Sequence, residues 1–499
     1  MKTTGIPIRL ISGMLYLFFF SGNLFAADLP TDQEITNAVE NELVYHSVTP
    51  SYMIDVNTEE GVVKLTGSVD NILARDRAVQ IAMAVRGVTA VIDEIKVDAP
   101  YRSDYALKSD VEEALLKDPA TDLYKVDVHA DNGIVTLDGK VDSWQEKQLA
   151  EFVTKGVNGV KDVINNISVN YKLSRPDNEI KNDIEEAIKN DIRIDGSLVN
   201  VAVHNGNVVL SGTVGSAIEK SIAGAYGWTV GVKSVDTKNL KVSNWARDAE
   251  LRENKYAEKT DSEIKDAVKL AYVYDPRVLS FNPDISVQDG VVTLTGIVDN
   301  LKASRAAEQD AYNVVGVMGV NNFLKVRPVY IPDDSDLESD VKNAIMKDPA
   351  MDKLKVDVTA DHGVVYLSGI VNTYFQKMQA DDDASKTKGV IAVKNNIKVN
   401  DTNDRYFFGY YGWNTFYPPS HASSDYQLKS DNEIKRDIER QLWWSPFVNE
   451  GEVNVAVSNG KAILTGTVGS KREKLFAEIK AFDGGAKEVV NDIRVIPTH

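Results

Sequence analysis

The chain has 499 residues, of which 43% are hydrophobic and 26% charged, with a net charge of −18. That length suits several domains, and the apolar content is that of soluble globular chains. The acidic balance argues against nucleic acid and against simple adsorption to anionic membranes. The lack of cysteine excludes disulfides, a thiolate nucleophile, cysteine-ligated zinc and a lipid-bearing N-terminal cysteine.

Residues 1–27 have the pattern of an export signal. Lys2 and Arg9 give a positive end, Leu10 to Phe20 is apolar, and Ala26 and Ala27 supply small residues for a cut. The apolar stretch is short for a bilayer span. Leu24 or Phe25, three before either cut, leaves an uncleaved anchor as the alternative. Together with the absence of cysteine, this places the chain in the periplasm.

In residues 31–99, Asp32 is the candidate cap of a helix whose inner face is Ile35, Val39 and Leu43. Pro50 follows that helix. Met53 to Val56 reads as a strand, and Glu59-Glu60-Gly61 as a tight turn. Val63, Leu65 and Val69 alternate inward along a second strand, with Gly67 marking a bulge or a close backbone approach. Ala78, Ile81, Ala82 and Val85 give a second amphipathic helix, and Gly87 falls at its C-terminal cap. Val91, Ile95 and Val97 share a parity and form a third strand. The order is helix, strand, strand, helix, strand.

The same scheme recurs six times. Its marker is Leu-x-Gly after a valine-rich run, with glycines Gly67, Gly139, Gly212, Gly296, Gly369 and Gly466 read as structural. The expected units are 31–99, 104–171, 177–243, 261–328, 336–400 and 431–496. Ser109 to Gly139 aligns without gaps on Ser339 to Gly369, most positions being identical, and Asp177-Asn178-Glu179-Ile180-Lys181 recurs as Asp431-Asn432-Glu433-Ile434-Lys435. Units one to three therefore match units four to six, a triplet duplicated whole. The expected fold is α+β, a tandem array of six αββαβ modules, each a three-stranded mixed sheet packed with two helices. The repeat pattern alone leaves open whether the units pack together or hang as beads.

Two segments interrupt the array. Residues 244–260 are a charged linker between the triplets. Residues 401–430 hold Tyr406, Phe407, Phe408, Tyr410, Tyr411, Trp413, Phe416 and Tyr417, then Pro418-Pro419. These eight rings are the candidate binding residues, for a membrane interface or a protein, because Tyr and Trp suit half-wet sites. The alternative is a loop folded over a neighbouring unit. Of Trp443 and Trp444, adjacent on a helix, one is expected to dock on this insertion.

With this element order, the Leu-x-Gly run and the late glycine-valine pair, each unit resembles a BON domain, the bacterial osmotically inducible and nodulation family. The resemblance implies a periplasmic or envelope-associated protein linked to osmotic shock and envelope integrity. It also implies binding to phospholipid or other envelope surfaces, some members acting as chaperones.

No motif brings catalytic groups together. The six histidines show no metal-ligand spacing, and no phosphate loop, dinucleotide loop or nucleophile elbow is present. Asp381-Asp382-Asp383 reads as a solvated helix face, and Asp333-Asp334-Ser335-Asp336 as an acidic helix start. The expectation is no enzyme, no cofactor and no metal. The reading is a non-enzymatic envelope-binding protein whose partners are phospholipid surfaces or envelope proteins. The alternative is a stress-induced periplasmic chaperone.

Overall fold

The computed structural model describes residues 30–45, 53–118, 120–121, 124–172, 175–247, 259–279, 281–348, 351, 356–371, 374–399, 429–448 and 453–496. The export-like segment, Pro50 and the aromatic run 406–417 lie outside the described residues.

Unit one shows how the sequence builds the module. Thr31 and Glu34 hold each other across the helix start: the Thr31 amide donates to the Glu34 carboxylate at 2.8 Å, and the Glu34 amide to Thr31 Oγ1 at 3.3 Å. Thr31, not Asp32, is thus the cap of α1 (Asp32–Tyr45). Asp32 instead accepts the amides of Glu60 and Gly61, both at 2.9 Å, and ties the helix start to the hairpin turn. Both turn residues have positive φ, the geometry of a two-residue turn between β1 (Ile54–Glu59) and β2 (Val62–Val69). The Asp clamp recurs through Asp177, Asp261 and Asp431 on the turns of units three, four and six.

Helix α2 (Ile72–Met83) then carries the chain back, and β3 (Ala90–Val97) pairs parallel to β2. β2 lies centrally, antiparallel to β1 and parallel to β3. Ile35, Val39, Val63, Leu65, Ala78 and Ala82 are buried together beneath the helices. Gly67 sits at φ +112, and a Cβ there would stand 2.0 Å from the Met53 carbonyl oxygen. The close approach is real, and it is a contact between strand and neighbouring backbone.

The other five units repeat this αββαβ order, each around its own buried cluster. In units two, four, five and six the third strand breaks after an asparagine: Asn165, Asn322, Asn395 and Asn491. Each amide donates to a carbonyl of the second helix, at 2.8–3.0 Å. In unit one the register partner of Leu65 is Asp93, which has no such donor, and β3 runs unbroken.

The units pack, and they close on themselves. Trp144 of unit two stacks on Trp228 of unit three at 5.3 Å, and the same positions in the second triplet, Tyr374 and Phe482, stack at 4.2 Å. Val315 N donates to the Asn190 carbonyl between units three and four at 2.8 Å. Its repeat equivalent joins unit one back to unit six, Arg86 N donating to the Trp444 carbonyl at 3.1 Å. Lys117 and Lys347 hold the same position in units two and five and reach across to each other's first helix, at Asp340 and Glu113. The duplication is therefore a pseudo-two-fold axis in space.

Trp444 packs against the core of unit one. Trp443 lies edge-on to Trp444 and faces the Arg86 guanidinium. Both rings thus serve the closure between units six and one, and the insertion on which one of them is expected to dock lies outside the described residues.

Candidate functional site

Helices meet inside the ring, and they border a half-open cavity of about 750 Å³ lined by units one, two, three, four and six. Two of its walls use one local device. Where the first helix of unit three (Asp177–Asn190) ends, Arg193 folds back on Asp191, Nη2 to Oδ2 at 2.6 Å. Where the first helix of unit four (Asp261–Val273) ends, Arg277 folds back on Asp275 in the same way, at 2.5 Å. In each, the arginine amide also donates to the aspartate, at 2.8 and 2.9 Å. Its sequence signal is an Asp-x-Arg at the same place in consecutive units, a pattern too short to stand out as a motif.

Tyr226 OH donates to Asp191 at 2.6 Å and packs edge-on against Tyr274. Burial opposes the charge on Asp191, yet the Arg193 guanidinium outweighs it and holds the carboxyl below the usual range. Asp310, on the second helix of unit four (Leu301–Tyr312), behaves oppositely. Burial and then the charge of Asp275 push its carboxyl well above the usual range.

Unit six supplies a different wall. Arg472 lies over the Phe476 ring at 4.5 Å, and Phe447 stacks on Phe476 at 4.7 Å. Burial, then the nearby charge of Arg193, lowers the Arg472 pKa to about 10. Lys480 bonds Glu42 of unit one at 2.8 Å. In unit one, Arg77 caps the Phe375 ring of unit five at 3.5 Å. The walls thus combine paired cations, a carboxyl held toward its neutral form and aromatic faces.

The residues that stand out in the sequence fall elsewhere. The six Leu-x-Gly glycines all have positive φ; five sit on the central strands and Gly296 in the break between Val291–Thr295 and Ile297–Val298, all away from this cavity. Asp381-Asp382-Asp383 is not a solvated face. Asp381 pairs with Arg305 and Asp382 with Lys302, both on unit four, and Asp383 is 5% exposed. The run is an ionic seam between units, because the second helix of unit five lies against that of unit four. Asp334, Asp361 and His362 bring three potential ligand atoms within 4.8 Å at an exposed hairpin. There the His362 amide donates to Asp334 at 2.8 Å, the same clamp as in unit one.

The BON domain pattern matches residues 31–99, 103–171, 176–244, 260–328, 333–401 and 430–497. The chain belongs to the BON domain family. It is 37% identical over 143 residues to osmotically-inducible protein Y of Escherichia coli (strain K12), covering 27% of this chain and 71% of that protein. It is 27% identical over 150 residues to an uncharacterized protein in the gshII 5′ region of Anaplasma centrale, covering 29% of this chain and 98% of that one. A solved structure of CdsD, a structural protein of the type III secretion system of Chlamydia trachomatis, aligns at 15% identity with a TM-score of 0.11, over 41% of this chain and 90% of that one. No described helix is long and apolar enough to cross a membrane.

Proposed function

We propose that this chain is a non-enzymatic periplasmic protein of the cell envelope that serves in osmotic or envelope stress by binding surfaces. The observation that carries this reading is the run of six BON domains together with the similarity to an osmotically-inducible protein. The export-like start of the sequence supports the compartment.

The ring geometry adds a physical reason. The helices face inward, so each sheet turns one face outward. Those faces carry single exposed apolar side chains, among them Ile92, Ile134, Ile164, Ile297, Tyr366 and Ile463. Spread over several units, such contacts are individually weak and add through effective concentration. Phospholipid headgroups with their acyl boundary, or envelope proteins, are the partners this suits.

Co-sedimentation of the full chain with phosphatidylethanolamine–phosphatidylglycerol vesicles, beside an aggregation assay on an unfolded envelope protein, tests the reading. Vesicle binding without protection of the client supports the surface-binding role. Protection without vesicle binding makes the protein a chaperone, and neither result discards both.

A further inference from the structure

We propose that the central cavity binds one small organic anion with an apolar body, its anionic group on Arg472 and its body against Phe476 and Phe447. This site is separate from the outward sheet faces and takes a molecule, not a surface.

Three cations on the cavity wall have carboxylate partners at ion-pair distance. Arg193 is held by Asp191 and Arg277 by Asp275, while Lys480 is held by Glu42. Arg472 has no carboxylate at ion-pair distance among the described residues, and its Nε is buried with no hydrogen-bond partner. A buried guanidinium in this state is costly, and an anion entering the cavity supplies the missing charge and acceptors. The face of Phe476 fixes the guanidinium plane at 4.5 Å, and the stacked Phe447 extends the apolar floor. A volume of about 750 Å³ is in the range of sites for small organic ligands.

The duplication points the same way, independently. Units three and six align without gaps, so Arg472 occupies the position of Ile218, and Phe476 that of Ile222. Both members of each pair line the same cavity. The backbone there is pseudo-symmetric and the stacks Trp144–Trp228 and Tyr374–Phe482 keep the symmetry, but the lining does not. One half presents aliphatic side chains where the other presents a cation beside an aromatic ring. That polarity is what an amphipathic anion needs, and packing alone does not require it.

The test uses the full chain and two dyes. The first is 8-anilinonaphthalene-1-sulfonate, an anion, and the second is N-phenyl-1-naphthylamine, its uncharged relative. The expected result is one saturable site per chain for the anion, displaced by octanoate and not by inorganic phosphate. Arg472→Gln weakens the anion by about tenfold or more and leaves the neutral dye unchanged. Arg472→Lys restores most of the anion affinity, and Phe476→Ala weakens both dyes. Circular dichroism and melting on each variant establish that it is folded. If Arg472→Gln does not fold, Ile218→Trp, which fills the opposite wall, is expected to abolish the saturable site. Anion binding unchanged in folded Arg472→Gln, or in Ile218→Trp, overturns the proposal, as does displacement by phosphate as effective as by octanoate.

Discussion

At the scale of single residues, the same sequence sign carries different physical weights. Gly67 and Gly296 hold equivalent positions and both have positive φ, +112 and +124. A Cβ on Gly67 would stand 2.0 Å from the Met53 carbonyl oxygen, whereas the nearest atom to a Cβ on Gly296 is 3.9 Å away. Gly67→Ala therefore meets both strain and a clash, and costs about 1–3 kcal/mol in thermal or urea unfolding. Gly296→Ala meets only the backbone strain and costs less; equal losses would remove the clash from the account. Asp310 gives a pH prediction. Its folded carboxyl prefers the proton, so between the unfolded pKa, near 3.8, and its raised folded value the native state binds more protons. Its contribution to stability is thus present at low pH and is lost as pH rises. Asp310→Asn does not titrate, so the melting temperature of the variant gains on wild type as the pH rises above about 4. A gap independent of pH contradicts the assignment. Little of this was visible in the sequence: the glycines showed through their spacing, but the Asp-x-Arg forks depend on which helix ends meet.

At the scale of elements, the αββαβ order and the inward alternation of Val63, Leu65 and Val69 were legible because a small sheet with one covered face writes its burial at period two. The break at Asn165, Asn322, Asn395 and Asn491 was not, because it turns on one side-chain amide reaching a helix carbonyl. Partners of helix faces were illegible for a related reason. A solvated face and a face that meets another unit use the same charged residues, which is why Asp381 and Asp382 read as solvated. The aromatic stacks are the clearest inter-unit elements. Trp144 and Trp228 lie 5.3 Å apart with planes 1° from parallel. A double-mutant cycle of Trp144→Ala and Trp228→Ala is expected to give a coupling of about 1 kcal/mol. Strictly additive losses would mean that units two and three do not rest on each other there.

At the scale of the whole molecule, the duplicated triplet was plain in the sequence, and the ring was not. Closure comes from contacts between residues far apart in the chain, such as Lys480 on Glu42 and Arg86 on Trp444. No periodicity records such pairs. Closure also decides what the six units offer: helices gathered around one chemically lopsided cavity, and sheets left facing outward. A string of beads has the sheets without the cavity. Small-angle X-ray scattering from the chain in solution distinguishes the two most directly. A closed body of this length has a radius of gyration of about 23 Å, enlarged modestly by its extra segments. A value near that, with a single compact distance distribution, is the predicted result. A far larger radius, with the separated peaks of jointed modules, would contradict the ring and the cavity with it.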